Sequence, residues 1–333
     1  MRLALGALSI LLALPAAAAD LDFDPQALGS IREGFQDLQA QTAPPAGPAG
    51  IACARPMQVA VHVRGSYFRK VESLPDLKET GIRGALVLPQ VVFDPDRFLP
   101  PKPGQPVYRE GPLDRPSAYL GAHTAAKEVD AGLAWDRVYD GKGRPTFTDL
   151  PEGTDGRDAS HRFLVAESGG KKLQPNFAFR PFWRTTLGSG NQWHNPPKND
   201  PYYYYPGEIV VMALRVKSDG AMRLDIRSDT GRAFKTAFAQ DGFTAQEPRS
   251  LKRIVAIDQS GNEGLDVQPT RTQVVGARWL SVDLLRGHDV AALAGDECQE
   301  VVGGDTAADY TDIFDITGLP EGGEALAIRP PRP

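Results

Sequence analysis

Through most of the chain apolar and polar positions alternate, the period of a strand with one buried face and one wet face. The clearest case is Met222–Ser228, where Met222, Leu224 and Ile226 oppose Arg223, Asp225 and Arg227. The same pattern predicts strands over 118–122, 129–138, 163–166, 176–186, 208–216, 234–238, 251–257 and 274–285. Upstream, Val59, Val61 and Val63 alternate with Ala60 and His62, and 84–93 reads as a strand interrupted at Pro89. A short helix is predicted over 73–80, stopped by Gly81. Turn formers such as Asp140-Gly141, Ser218-Asp219-Gly220 and Thr230-Gly231 punctuate the strands. Many short strands without alternating helices specify a mostly β protein, an antiparallel β-sandwich or jelly roll.

The amino terminus departs from this period. Residues 1–19, MRLALGALSILLALPAAAA, combine a positive start, an apolar run and a small-residue cleavage site, the layout of a secretory signal peptide cut near Ala19. The apolar run falls short of the roughly 20 residues that span a bilayer. Neither cysteine follows the leader directly, where a lipoprotein would carry the one it acylates, so a soluble periplasmic or extracellular mature chain is expected, not an integral membrane protein. Asp24-Pro25 opens a predicted short N-terminal helix within 20–41, with Leu28, Ile31, Phe35 and Leu38 on one stripe. Residues 42–52 read as a linker, 53–318 as the sandwich and 319–333 as a tail.

Composition narrows the partners. The 333 residues carry a net charge of −5 with acidic and basic residues well mixed, and no basic stripe for nucleic acid. The 34 glycines and 29 prolines suit a chain of strands and turns. An exported chain with two cysteines, Cys53 and Cys298, is expected to join them in a disulfide.

Two segments carry candidate chemistry. In a strand over 129–138, Val129, Ala131, Leu133 and Trp135 face the core, while Glu128 and Asp130 share the opposite face with Gly132 and Ala134. Two residues of rise place those carboxylates roughly 6–7 Å apart at the backbone, within the range that glycosidases use for acid and nucleophile. The competing reading is a wet face whose carboxylates pair with Lys or Arg across the sheet. The second segment, 177–208, interleaves aromatic rings with amides and guanidinium groups: Trp183, Arg184, Trp193, His194, Tyr203 and Tyr205 are its candidate ligand-binding residues. Adjacent positions on a strand face opposite ways, so at most half of the tyrosine run 202–205 can line a site. The stretch 188–201 reads as a long loop. Asp258, Asn262, Glu263 and Asp266 offer oxygens, but not at EF-hand spacing, and the histidines show no zinc spacing. No metal and no cofactor is expected, and nucleotide-binding and nucleophile-elbow motifs are missing.

Glu128-Val129-Asp130 resembles part of the E-x-D-x-x-E signature of laminarinase-like glycoside hydrolases, whose second Glu would fall at Gly132 or Leu133. The order of elements over 117–257 also resembles the eqolisins, the glutamic peptidases: Tyr119-Leu120-Gly121-Ala122, the aromatic stretch 177–183 and Tyr205-Pro206-Gly207-Glu208 sit in comparable places. Asp130 stands about where that family's Gln would, and 177–183 contains no Glu. Both resemblances imply a concanavalin-like jelly roll. The expected function is a secreted or periplasmic protein that interacts with a polysaccharide or cell-envelope glycan, with hydrolase or lyase chemistry as its extension. The alternatives are a non-catalytic envelope-binding module and an eqolisin-related acid peptidase.

Overall fold

The computed structural model describes residues 53–60, 65–94, 97, 113–149, 166–168, 171–187, 190–217, 220–244, 247–260, 262, 265–287, 289–305, 309–319 and 323–332. The leader, the helix predicted within 20–41 and the linker lie outside these residues. The strands, in chain order, are β1 (Gln58–Ala60), β2 (Ser66–Ser73), β3 (Gly81–Val87), β4 (Gln90–Val92), β5 (Asp114–His123), β6 (Glu128–Arg137), β7 (Phe147–Asp149), β8 (Ala166–Ser168), β9 (Lys171–Pro175) and β10 (Phe177–Leu187). They continue as β11 (Gly190–His194), β12 (Ile209–Val216), β13 (Met222–Ser228), β14 (Ala233–Phe238), β15 (Ser250–Gln259), β16 (Gln273–Arg286), β17 (Asp289–Ala292), β18 (Cys298–Gly303), β19 (Phe314–Gly318) and β20 (Glu324–Ile328). A single helical turn, α1 (Tyr310–Ile313), is capped by the Asp309 carboxylate. Among the described residues no helix is long and apolar enough to cross a membrane.

The strands form a β-sandwich that is antiparallel except at β1, which pairs with β18 in parallel. One sheet has eight strands in the order β1-β18-β2-β15-β5-β6-β10-β11. The other has nine, ordered β14-β13-β12-β3-β16-β20-β19 with β4 and β17 also paired to β16. A third, three-stranded sheet is ordered β7-β9-β8. Side chains from the facing sides of the two large sheets make one core: Val71, Leu120, Leu133, Val255 and Ile257 from the first, Leu86, Met212, Leu224, Trp279 and Leu326 from the second. The alternation read in β13 holds residue by residue, with Met222, Leu224 and Ile226 fully buried. Asp225 on its other face is also buried, held at 2.7 Å by Arg223.

The core also contains charges. Arg69 of β2 and Arg253 of β15 point inward beside the apolar residues of their strands. Both donate to Glu324 of β20, Arg69 Nη2 at 2.6 Å and Arg253 Nη1 at 3.1 Å, and Arg69 Nη2 also reaches Glu300 of β18 at 2.7 Å. The Arg253 guanidinium lies 5.8 Å from the centre of the Trp279 ring. Burial pushes the Glu324 carboxyl up, but Arg253 and Arg69 overcome it and hold the pKa at about 2. Glu300 accepts a bond from the Cys53 backbone N–H at 3.0 Å, and Cys53 is bridged to Cys298 with 5.3 Å between α-carbons. The expected disulfide is therefore present, and it closes a loop of 245 residues.

Three expectations are corrected. Residues 74–80 are not helical: Leu74 and Asp76 donate their N–H groups to Glu297 and Arg249 instead of to a local turn, and Pro75 between them has no donor. The expected loop 188–201 contains β11, which pairs with β10 from Trp183–His194 to Leu187–Gly190. The expected tail contains β20, whose Leu326 and Ile328 enter the core while Glu324 is neutralised by the two arginines.

Glu324→Gln is expected to destabilise the fold by about 3–5 kcal/mol in chemical denaturation, because two buried guanidiniums lose their shared counter-charge. The depressed pKa of Glu324 makes its contribution complete above about pH 4.5 and lost as pH falls toward about 2, a loss of roughly 3 kcal/mol. An unchanged midpoint in the variant contradicts this account. Unfolded, unreduced protein is expected to expose no reactive thiol, and reduction is expected to lower stability by about 3–5 kcal/mol.

Candidate functional site

The face of the eight-stranded sheet turned away from the core carries a row of side chains in strict register. Gln299 of β18 lies opposite Glu72 of β2, and Glu72 lies opposite Lys252 of β15. Lys252 lies opposite Gly121 of β5, and Gly121 opposite Asp130 of β6. Asp130 lies opposite Arg184 of β10, and Arg184 opposite Trp193 of β11. At about 4.8 Å per strand, neighbours in such a row are within reach of one another.

Lys252 crosses the row at Gly121. A β-carbon at Gly121 would stand 2.4 Å from Lys252 Cε and 2.8 Å from Asp130 Oδ1, so only glycine leaves the passage open. The ammonium reaches Asp130 Oδ1 at 2.9 Å and also bonds Glu128 Oε1. Burial pulls the Lys252 ammonium down, but the charges of Asp130 and Glu128 overcome it and raise its pKa. Burial likewise pushes the Glu128 carboxyl up, and Lys252 reverses that shift and lowers it. Glu128 and Asp130 are thus paired across the sheet with a lysine, as the competing reading held. A carboxylate kept ionised in this way has no proton to supply, and its lowered pKa also makes it a weaker base.

A cleft of about 540 Å³ lies over this row, and its lining includes Tyr119, Glu128, Asp130, Phe182, Arg184 and Trp193. A β-carbon at Gly132 would stand 2.5 Å from Tyr119 Cα, so the glycine lets Tyr119 lie close against β6. Tyr119 meets Phe182 edge-on at 5.5 Å, and Phe182 stacks on Trp193 at 4.3 Å with 3° between ring planes. The indole N–H donates to Asn195 Oδ1 at 2.9 Å, and Asn195 Nδ2 donates to the Pro181 carbonyl at 2.9 Å. With one face on Phe182 and its edge tied down, Trp193 remains 45 % exposed. Asp258 lines the same cleft and accepts from Ser66 Oγ at 2.9 Å and Ser117 Oγ at 2.7 Å. Burial raises its pKa, the two hydroxyls partly offset the rise, and the charge of Asp130 adds to it. Burial also raises Tyr119 well above the usual phenol value, reinforced by Asp130, Asp258 and Glu128.

Four sequence-selected residues, Glu128, Asp130, Arg184 and Trp193, line this cleft. Trp183 and His194 sit one residue along from Arg184 and Trp193, so they turn to the opposite face. There they stack on each other at 5.4 Å, and Trp183 packs on Phe234 at 5.9 Å. Tyr203 is fully buried with Val138 and Ala178, and its hydroxyl accepts the Tyr139 N–H at 3.0 Å. Tyr205 lies under the Arg232 guanidinium at 5.4 Å and is not among the cleft residues. Sequence reading passed over Lys252, although a Lys-Arg pair inside an otherwise apolar strand was its signal. Tyr119 and Asp258 carried no such mark as cleft residues. Among the described residues no group of three or more His, Cys, Asp or Glu is placed to hold a metal ion.

No protein-family model matches the chain, and no curated protein matches it. Solved structures similar to it include the following three. Scytalido-glutamic peptidase with a peptide-based transition-state analogue shares 10% identity at a TM-score of 0.43. The same peptidase with a transition-state analogue inhibitor shares 9% at 0.44. SCP-B, a member of the eqolisin family of peptidases, in complex with the tripeptide Ala-Ile-His, shares 10% at 0.43. Each alignment covers 79% of this chain and 98% of the other.

Lys252→Met is expected to cost about 3–5 kcal/mol in chemical denaturation, because Asp130 is left buried without its cation. Adding Asp130→Asn is expected to recover most of that loss. A single variant as stable as the wild type would show that the ion pair does not hold the row.

Proposed function

We propose that the chain is a secreted or periplasmic glycan-binding protein that holds a sugar ring on the open face of Trp193. The supporting observation is the preorganised indole: stacked on Phe182, fixed at its edge by Asn195, and exposed beside a charged cleft. Apolar faces of pyranose rings stack on flat aromatic surfaces, and a ring that is already fixed loses little entropy on binding. Glu128, Asp130 and Arg184 supply hydrogen-bonding groups around it. The leader at 1–19 and the Cys53–Cys298 bridge both support an oxidising compartment. Hydrolase or lyase chemistry is the further reading. In that reading Glu128, kept ionised by Lys252, is the proton acceptor, and Tyr119 and Asp258 retain their protons to higher pH than usual.

The test is retention on immobilised polysaccharides and a glycan array. Wild-type protein is expected to bind, and Trp193→Ala to bind about tenfold more weakly, or about 1.4 kcal/mol. Absence of binding to every glycan, or undiminished binding by Trp193→Ala, overturns the proposal. Digestion of casein at acid pH would favour the peptidase alternative instead.

A further inference from the structure

We infer that the glycan held in this cleft is acidic, and that Arg184 reads its carboxylate. The inference rests on the Trp193 reading and specifies its ligand class. Arg184 lies directly opposite Trp193 in the β10–β11 register and lines the same cleft. A sugar stacked on the indole therefore presents its ring substituents to the guanidinium one strand away. Among the described residues the only carboxylate within ion-pair distance of Arg184 is Asp130, with Oδ2 at 3.9 Å; the charges of Glu128 and Asp258 act on it from farther away, and its side chain is 40% exposed. That distance is too long for a hydrogen bond. The donors of the guanidinium remain available for a carboxylate, which Arg grips in a bidentate fork.

The other charges of the cleft roughly balance one another. The cleft is lined by Lys70, Arg115, Arg184 and Lys252 against Glu128, Asp130 and Asp258. Glu128 and Asp130 are already engaged by Lys252, and Asp258 by the hydroxyls of Ser66 and Ser117. Lys70 is paired with Glu72 at 2.8 Å, whereas Arg115 is exposed. With Lys70 balanced by Glu72 and Lys252 shared between two carboxylates, the charges around the cleft come close to cancelling, and Arg184 is the partly exposed cation beside the aromatic platform. An acidic sugar satisfies both features at once, with its ring on Trp193 and its carboxylate on Arg184. A neutral sugar uses only the first.

The experiment is calorimetric titration of the mature chain with hexasaccharides of galacturonate and of mannuronate. Each is compared with its own carboxyl-reduced, neutral counterpart. At least one acidic hexasaccharide is expected to bind tenfold or more tightly than its neutral counterpart, with the advantage shrinking as salt rises. In Arg184→Gln the acidic and neutral forms are expected to bind within about twofold of each other, with thermal stability unchanged. Arg184→Lys is expected to fall between, keeping the charge but losing the fork. Neutral forms that bind the wild type as tightly as acidic ones overturn the inference and leave the Trp193 reading standing. So does an acidic preference that survives in Arg184→Gln. No binding by any hexasaccharide, acidic or neutral, counts against both.

Discussion

Glu324 joins the two sheets by accepting from Arg69 and Arg253, and much else in the sandwich follows from that contact. Two guanidiniums can enter an apolar core only if an anion meets them there, because an unpaired buried charge costs several kcal/mol. The contact fixes which face of β2 and β15 is turned inward. A slip of one residue in either strand would exchange its two faces, sending Arg69 or Arg253 out and Lys70 or Lys252 in. The buried charges thus act as a register lock. Glu300 extends the lock to the Cys53–Cys298 bridge through the Cys53 N–H.

With the register fixed, the outer face assembles without further choice. Lys252 must emerge beside Gly121 and meet Asp130. Asp130 is then opposite Arg184, and Arg184 opposite Trp193. The order of charges matters. Because Lys252 neutralises Asp130 from one side, Arg184 on the other side is left at 3.9 Å with its donors unspent. The aromatic ladder of Tyr119, Phe182 and Trp193 runs beside this row and supplies a flat surface next to the guanidinium. Core electrostatics and surface chemistry are linked through the alternation of two strands.

The sequence made local features legible and long-range ones obscure. β13 is legible because three apolar residues alternate with three charged ones. The inward face of β6 is legible for the same reason, with Val129, Ala131 and Leu133 fully buried. β20 is obscure because Glu324 breaks the apolar pattern, and its partner Arg69 lies 255 residues away in the chain. β11 is obscure because glycine and asparagine in its run read as a turn, and pairing to β10 decides otherwise. In the site, alternation puts Trp183 and Arg184 on opposite faces but does not say which face meets the core. The pairing of Lys252 with Glu128 spans 124 residues, which no local pattern encodes.

The account turns on Trp193 being a sugar platform with Arg184 beside it. The most direct measurement is a crystal structure of the mature chain soaked with a galacturonate or mannuronate oligosaccharide. The account predicts a pyranose ring lying flat on the indole face turned away from Phe182, with its carboxylate against the Arg184 guanidinium. A sugar bound elsewhere on the chain, with that face of Trp193 still open to solvent, would contradict it.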